Sequence, residues 1–220
     1  MSPSVLRERI ETALSPKFDV SFTIRNKPVP LLFPSGIPRI DIPRGTLTEI
    51  YGAPSSGRTS SLLGVLARAT RQQECCALID GSDSFDPASG AEAGMDLSKL
   101  LWIRCKRNAE HALKAADLLV QAGGFGIVAL DLAGIPARDT RRISLASWFR
   151  LRHRVEQSNA ALLVVAEELT AKSCSTLQVE LRRTEVQVVG SLFRGFDIQG
   201  NLGPRTRGVT GCGLSPVFHT

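Results

Sequence analysis

The stretch TLTEIYGAPSSGRT, residues 46–59, reads as an apolar strand running into a glycine loop and then a helix. Gly52 and Gly57 bracket four residues, with Arg58 and Thr59 following, so the spacing is that of the phosphate loop G-x-x-x-x-G-K-[ST] with arginine in the lysine position. Glycines let backbone N–H groups close around a phosphate, and the helix N-terminus adds its dipole. Gly52, Ser55, Ser56, Gly57, Arg58, Thr59 and Ser60 are therefore candidate nucleotide contacts, with the Thr59 hydroxyl a candidate Mg²⁺ ligand. A Gly/Ser loop between strand and helix also occurs with no ligand, and a rigid guanidinium does not substitute for a compact ammonium without displacement.

Further apolar strands follow at CCALID (75–80), LLWIR (100–104), GIVALD (126–131) and ALLVVAE (161–167). Helix-length segments at about 57–72, 108–122 and 140–157 separate several of them. That alternation predicts an α/β fold, a mostly parallel sheet with crossover helices. TLQVELR, EVQVVG and RGFDIQG are short and alternating, and predict antiparallel strands extending the sheet at its C-terminal side. Asp131 closes the fourth core strand as an acid after four apolar residues, the pattern that reaches Mg²⁺ through water.

Before the core, residues 4–14 predict a helical arm, FTIR (22–25) a short strand, and Pro28 to Pro43 a Pro-rich connection. The expected organisation is an N-terminal arm and strand (1–30), a core (31–200) and a flexible tail (201–220). Val5, Ile10 and Leu14 on the helix and Phe18, Phe22 and Ile24 after it could dock in trans, giving self-association, or fold back on the core.

The chain has 220 residues, 43% hydrophobic and 22% charged, a globular composition. No apolar run approaches the roughly 18 residues of a membrane span, and charges in MSPSVLRERIETAL interrupt any secretory core. A cytoplasmic protein without membrane contact is expected. The five cysteines form no C-x-x-C and the three histidines are scattered, which argues against disulfide and zinc chemistry. Cys75 and Cys76, in an apolar run, are expected to be buried.

Lys plus Arg total 27 against 21 acids, a net charge of +6. Segment 138–154, RDTRRISLASWFRLRHR, supplies Arg138, Arg141, Arg142, Arg150, Arg152 and Arg154 against Asp139 alone. Such a cluster suits a polyanion, single-stranded DNA among them, or forms a solvated helix face. On one ideal helix Arg141, Arg142 and Arg152 share an arc of about 100° while Arg150 and Arg154 point elsewhere. Arg205 and Arg207 could extend the basic surface. Trp148 and Phe149 could stack on bases, although aromatics beside Leu145 and Leu151 more often join a core.

These pieces together resemble the RecA recombinase family. SGIPRID (35–41) and GTLTEIYG (45–52) look like the family's approach to its phosphate loop, IDGSDSFDP (79–87) its I-D-x-E-x-x-x-D-P segment, and ALLVV (161–165) and LQVELRR (177–183) its later strands. The resemblance implies a RecA-like core, ATP with Mg²⁺ as ligand, weakly held, and adenine contact by Asp86; Asp86 before Pro87 also reads as a helix N-cap. It further implies that the water-activating glutamate falls on Ser82 and the γ-phosphate-sensing glutamine on Glu168, beside Glu167. Only Leu169 to Ser173 remain for a second DNA-binding loop.

Short RecA-like chains with decayed nucleotide sites include the ImuA/SulA-like accessory proteins of damage-induced mutagenesis. That likeness implies a nonhydrolytic scaffold in the SOS response and translesion synthesis, partnered by DNA polymerase-related mutagenesis proteins or the RecA recombinase. An active ATP-dependent recombination or repair enzyme, and a purely protein-binding regulator without DNA contact, are the alternatives.

Overall fold

The computed structural model describes residues 31–189, 192–204 and 206. The expected arm, its strand, and Arg205 and Arg207 lie outside the described residues.

Five apolar segments form the central strands: β3 (Leu47–Tyr51), β4 (Cys76–Asp80), β5 (Leu100–Arg104), β6 (Ile127–Asp131) and β7 (Ala161–Ala166). With β8 (Leu177–Val189) and β9 (Leu192–Leu202) they make one sheet of order β5-β4-β6-β7-β3-β8-β9. All pairs are parallel except β8–β9. The α/β core, its mostly parallel sheet and an antiparallel C-terminal extension are thus as expected. TLQVELR and EVQVVG, read as two strands, are one: β8 joins β3 in parallel and turns back only through β9.

Strands β4, β6 and β7 are buried throughout because helices cover both faces. Side chains alternate between two cores. Val128 and Leu130 pack with Leu113, Ala116, Trp148 and Leu151 of helices α3 (Ala109–Ala122) and α5 (Leu145–Glu156). Ile127 and Ala129 pack on the other face with Leu62, Val65 and Leu66 of α1 (Arg58–Arg71). Two short helices, α2 (Pro87–Glu92) and α4 (Ala137–Thr140), complete the α-helices among the described residues.

Three expectations need correction. The Pro-rich connection is, over its described part, a hairpin of β1 (Leu32–Ile37) and β2 (Ile40–Pro43). Its Phe33, Ile37, Ile40 and Ile42 are buried in the α1-side core, and the Ser35 hydroxyl donates across the turn to the Ile40 carbonyl. The helix expected over 140–157 starts only at Leu145: Ser144 caps α5 through the Ser147 N–H at 3.1 Å and separates it from α4, which ends at Thr140. Cys75 is exposed, since β4 begins one residue later; only Cys76 of that pair is buried.

No helix among the described residues is long and apolar enough to cross a membrane. Trp148 is 1% exposed and Phe149 48% exposed, so the adjacent aromatics have separate roles. Trp148→Ala should destabilise the fold by about 3–5 kcal/mol, whereas Phe149→Ala should stay within about 0.5 kcal/mol. Urea denaturation of both variants checks this.

Candidate functional site

Register brings the site together. Asp80 of β4 stands beside Asp131 of β6, Asp131 beside Val165 of β7, and Ala166 beside Tyr51 of β3. The loop after β3, Asp131, and Glu167 after β7 therefore share the carboxyl edge of the sheet, where open α/β sheets bind ligands. Gly81 allows this edge to close: its N–H donates to the Asp131 carbonyl at 2.9 Å. A Cβ at Gly81 would overlap that carbonyl oxygen.

The phosphate loop leaves β3 at Gly52 and enters α1 at Gly57, whose φ of 92° places it in the left-handed region. Ser55 is also left-handed, at φ 63°. Helix α1 starts with no side-chain cap and no acid in its first turn, so its leading N–H groups remain available to an anion. Glycine is required at two points for space as well. A Cβ on Gly52 would meet the Leu181 carbonyl and Ser56, and one on Gly57 would overlap Ile198 of β9. The C-terminal hairpin thus packs directly against the loop.

Arg58 follows that turn and is only 8% exposed. Its Nη2 lies 3.8 Å from Glu167 Oε1. Nη1 of Arg58 and Oγ of Ser56 are buried without a hydrogen-bond partner. Unpaired buried donors are costly, and a phosphate oxygen would satisfy them. The loop residues thus fit a phosphate group, with the exposed Thr59 hydroxyl and Asp131 available to Mg²⁺.

Asp131 accepts from the Ala133 N–H at 2.9 Å. Burial pushes its carboxyl up to about 6; the Ala133 bond opposes this, neighbouring Asp80 adds to it, and the Arg58 charge opposes it. Asp80 itself is committed locally, accepting from the Ser84 and Phe85 N–H groups and from Trp102 Nε1. Ser82 pairs with the Ser84 hydroxyl at 2.8 Å. Asp86 caps α2, accepting from the Ala88 and Ser89 N–H groups and the Ser89 hydroxyl, which hold its carboxyl below the usual range.

The six arginines do not form one basic face. Arg141 makes a bidentate pair with Glu168, at 2.7 and 2.8 Å, which holds the Glu168 carboxyl low. Arg154 and Arg150 lie 3.0 and 3.8 Å from Asp117 of α3, and Arg152 is 3.0 Å from Glu156. Arg138 and Arg142 flank Asp139 at 3.8 and 3.7 Å and are the most exposed.

Sequence reasoning missed Glu49, a fully buried acid in the middle of β3. Its Oε1 accepts from the Thr170 N–H, the Thr170 hydroxyl and the Ala171 N–H, tying the segment after β7 to β3. Burial raises its carboxyl, against those three bonds. The signal was present as a lone acid inside an apolar strand.

A carboxyl raised to about 6 from the ordinary 3.8 favours the protonated form in the fold. The stability it contributes is present below pH 4 and lost as pH rises through 6. In Mg²⁺-free buffer, Asp131→Asn should therefore be more stable than the parent at pH 7 by about 1–3 kcal/mol. The gap should close towards pH 4. Urea midpoints across that range measure it.

A family model described as the RecA N-terminal domain matches residues 33–141. Relatives called Protein RecA match as well. The one from Haemophilus ducreyi is 31% identical over 150 residues, 67% of this chain and 40% of the relative. That from Ectopseudomonas oleovorans is 37% identical over 92 residues, 41% of this chain and 26% of the relative. A third, from Chlorobium chlorochromatii, is 38% identical over 90 residues, 41% of this chain and 25% of the relative. The chain thus spans 40% or less of the length of these curated relatives. With the matched segment, the mostly parallel sheet gives this chain a RecA-like core.

Proposed function

We propose that the chain is a nonhydrolytic RecA-like accessory protein of DNA repair, acting in damage-induced mutagenesis and translesion synthesis. Its basic surface would face single-stranded DNA, and polymerase-related mutagenesis proteins or the RecA recombinase would be its protein partners. The observation that carries the reading is Arg58, a buried guanidinium beside Glu167 at the position where the phosphate-loop motif has lysine.

A planar guanidinium fixed by a carboxylate does not travel with a transferring phosphoryl group as a lysine ammonium can. Ser82, hydrogen-bonded to Ser84, has no carboxylate with which to activate water. Glu168, held by Arg141, brings negative charge where the resemblance places a γ-phosphate-sensing amide. If a nucleotide is bound, Gly52 to Ser60 would cradle its phosphates, Thr59 and Asp131 would hold Mg²⁺, and the ion would neutralise phosphate charge. The chain's own residues would then bind and orient, and the Ser82 position would bring no carboxylate to take a proton from water.

Loss of the water-activating base alone lowers rate by about 10²–10⁴. Steady-state ATP turnover, with and without single-stranded DNA, should therefore fall at least that far below an ordinary RecA-type ATPase. Turnover at the ordinary rate would overturn the reading.

A further inference from the structure

Outside the phosphate loop, the strongest unassigned feature is a groove of about 610 Å³ between the start of α3 and the α4–α5 junction. Lys106, Arg107 and Lys114 line one wall, and Arg142 and Arg150 the other. Glu110 and Asp139 are the acids along it, so cations outnumber them. We infer that this groove binds the sugar–phosphate backbone of single-stranded nucleic acid. The inference rests on the proposed DNA-facing role and assigns that contact to a specific surface, three of whose cations lie outside the 138–154 cluster.

The groove is anchored on the sheet. The Arg107 N–H donates to the Gly81 carbonyl at 2.8 Å and the Lys106 N–H to Asp83 at 3.1 Å, which fixes this loop to the end of β4. Arg107 Nη2 reaches the Gly134 carbonyl at 3.1 Å, bridging to the loop after β6. Lys106 and Lys114 make no ion pair among the described residues. Arg142 and Arg150 keep only long pairs, 3.7 Å to Asp139 and 3.8 Å to Asp117, on side chains 81% and 59% exposed. Exposed pairs of that length contribute little and yield readily to a phosphate.

Two helix N-termini open into the same space, α3 at its Asn108 cap and α5 at its Ser144 cap, and both add positive potential. The occupant follows from what is present. Among lining residues only Leu113 and Ile143 are large and apolar, too few to seat the aromatic or aliphatic anchors of a protein partner. Phosphates spaced along one strand would meet cations on both walls.

Fluorescence anisotropy with labelled dT and rU oligonucleotides, over a salt series, tests this on the full chain. Log affinity should fall with log salt by roughly 0.7 per phosphate contact. The double variant Lys106→Glu/Arg107→Glu should bind at least tenfold more weakly with a flatter slope. Lys114→Ala/Arg142→Ala should move in the same direction, and Lys99→Glu, at the opposite end of β5, should bind as the parent does. Circular dichroism melting confirms that each variant is folded. A difference between dT and rU identifies which nucleic acid is preferred. If the parent binds and both groove variants bind equally well, the groove assignment fails while the wider reading survives. If the parent binds neither oligonucleotide at low salt, both fail. Displacement by poly-glutamate as effective as by oligonucleotide would overturn the nucleic-acid identity of the ligand.

Discussion

A buried guanidinium must have negative charge nearby, and Arg58 sets that constraint at the start of α1. Taking an arginine out of water is unfavourable by several kcal/mol unless partners compensate. Glu167 approaches it at 3.8 Å from the end of β7, and Asp131 feels its charge from the end of β6. Three elements therefore converge on one side chain. The parallel register that aligns the strand ends makes this convergence possible.

The same arrangement explains why the edge holds groups that favour ligand binding over stability. Asp131 is buried with one hydrogen bond, and Arg58 Nη1 and Ser56 Oγ have no partner. Such groups concentrate where a fold gives up stability for a site. Around them the loop is tightly enclosed, with Leu181 against Gly52 and Ile198 against Gly57. The last two strands are therefore part of the wall of the site as well as an extension of the sheet.

Much of this was legible in the sequence. Runs such as IVALD and ALLVV are too apolar and too short for anything but buried strands, and glycines at 52 and 57 mark the loop wherever the strands are found. The hairpin over 32–43 was hidden because Pro34, Pro38 and Pro43 suggest a connection; Pro38 sits in the turn, and Ser35 supplies a side-chain bond across it. The break between α4 and α5 depends on Ser144, one polar residue in an arginine-rich run. Pairings such as Arg154 with Asp117 join residues far apart in the chain. Only the packing of α5 on α3 creates them, so a local count of arginines overstated the free charge of 138–154 and left Lys106 and Arg107 unnoticed.

The central claim is that Arg58 is neutralised within the protein by carboxylates at the strand ends. A double-mutant cycle of Arg58→Met and Asp131→Asn, followed by urea denaturation at pH 7 without Mg²⁺, tests it most directly. Removing Arg58 alone should destabilise the fold at pH 7, in part because it takes a favourable charge away from buried Asp131, and Asp131→Asn should recover that part. A coupling energy of about 1–3 kcal/mol is predicted. Strict additivity of the two substitutions would contradict the account.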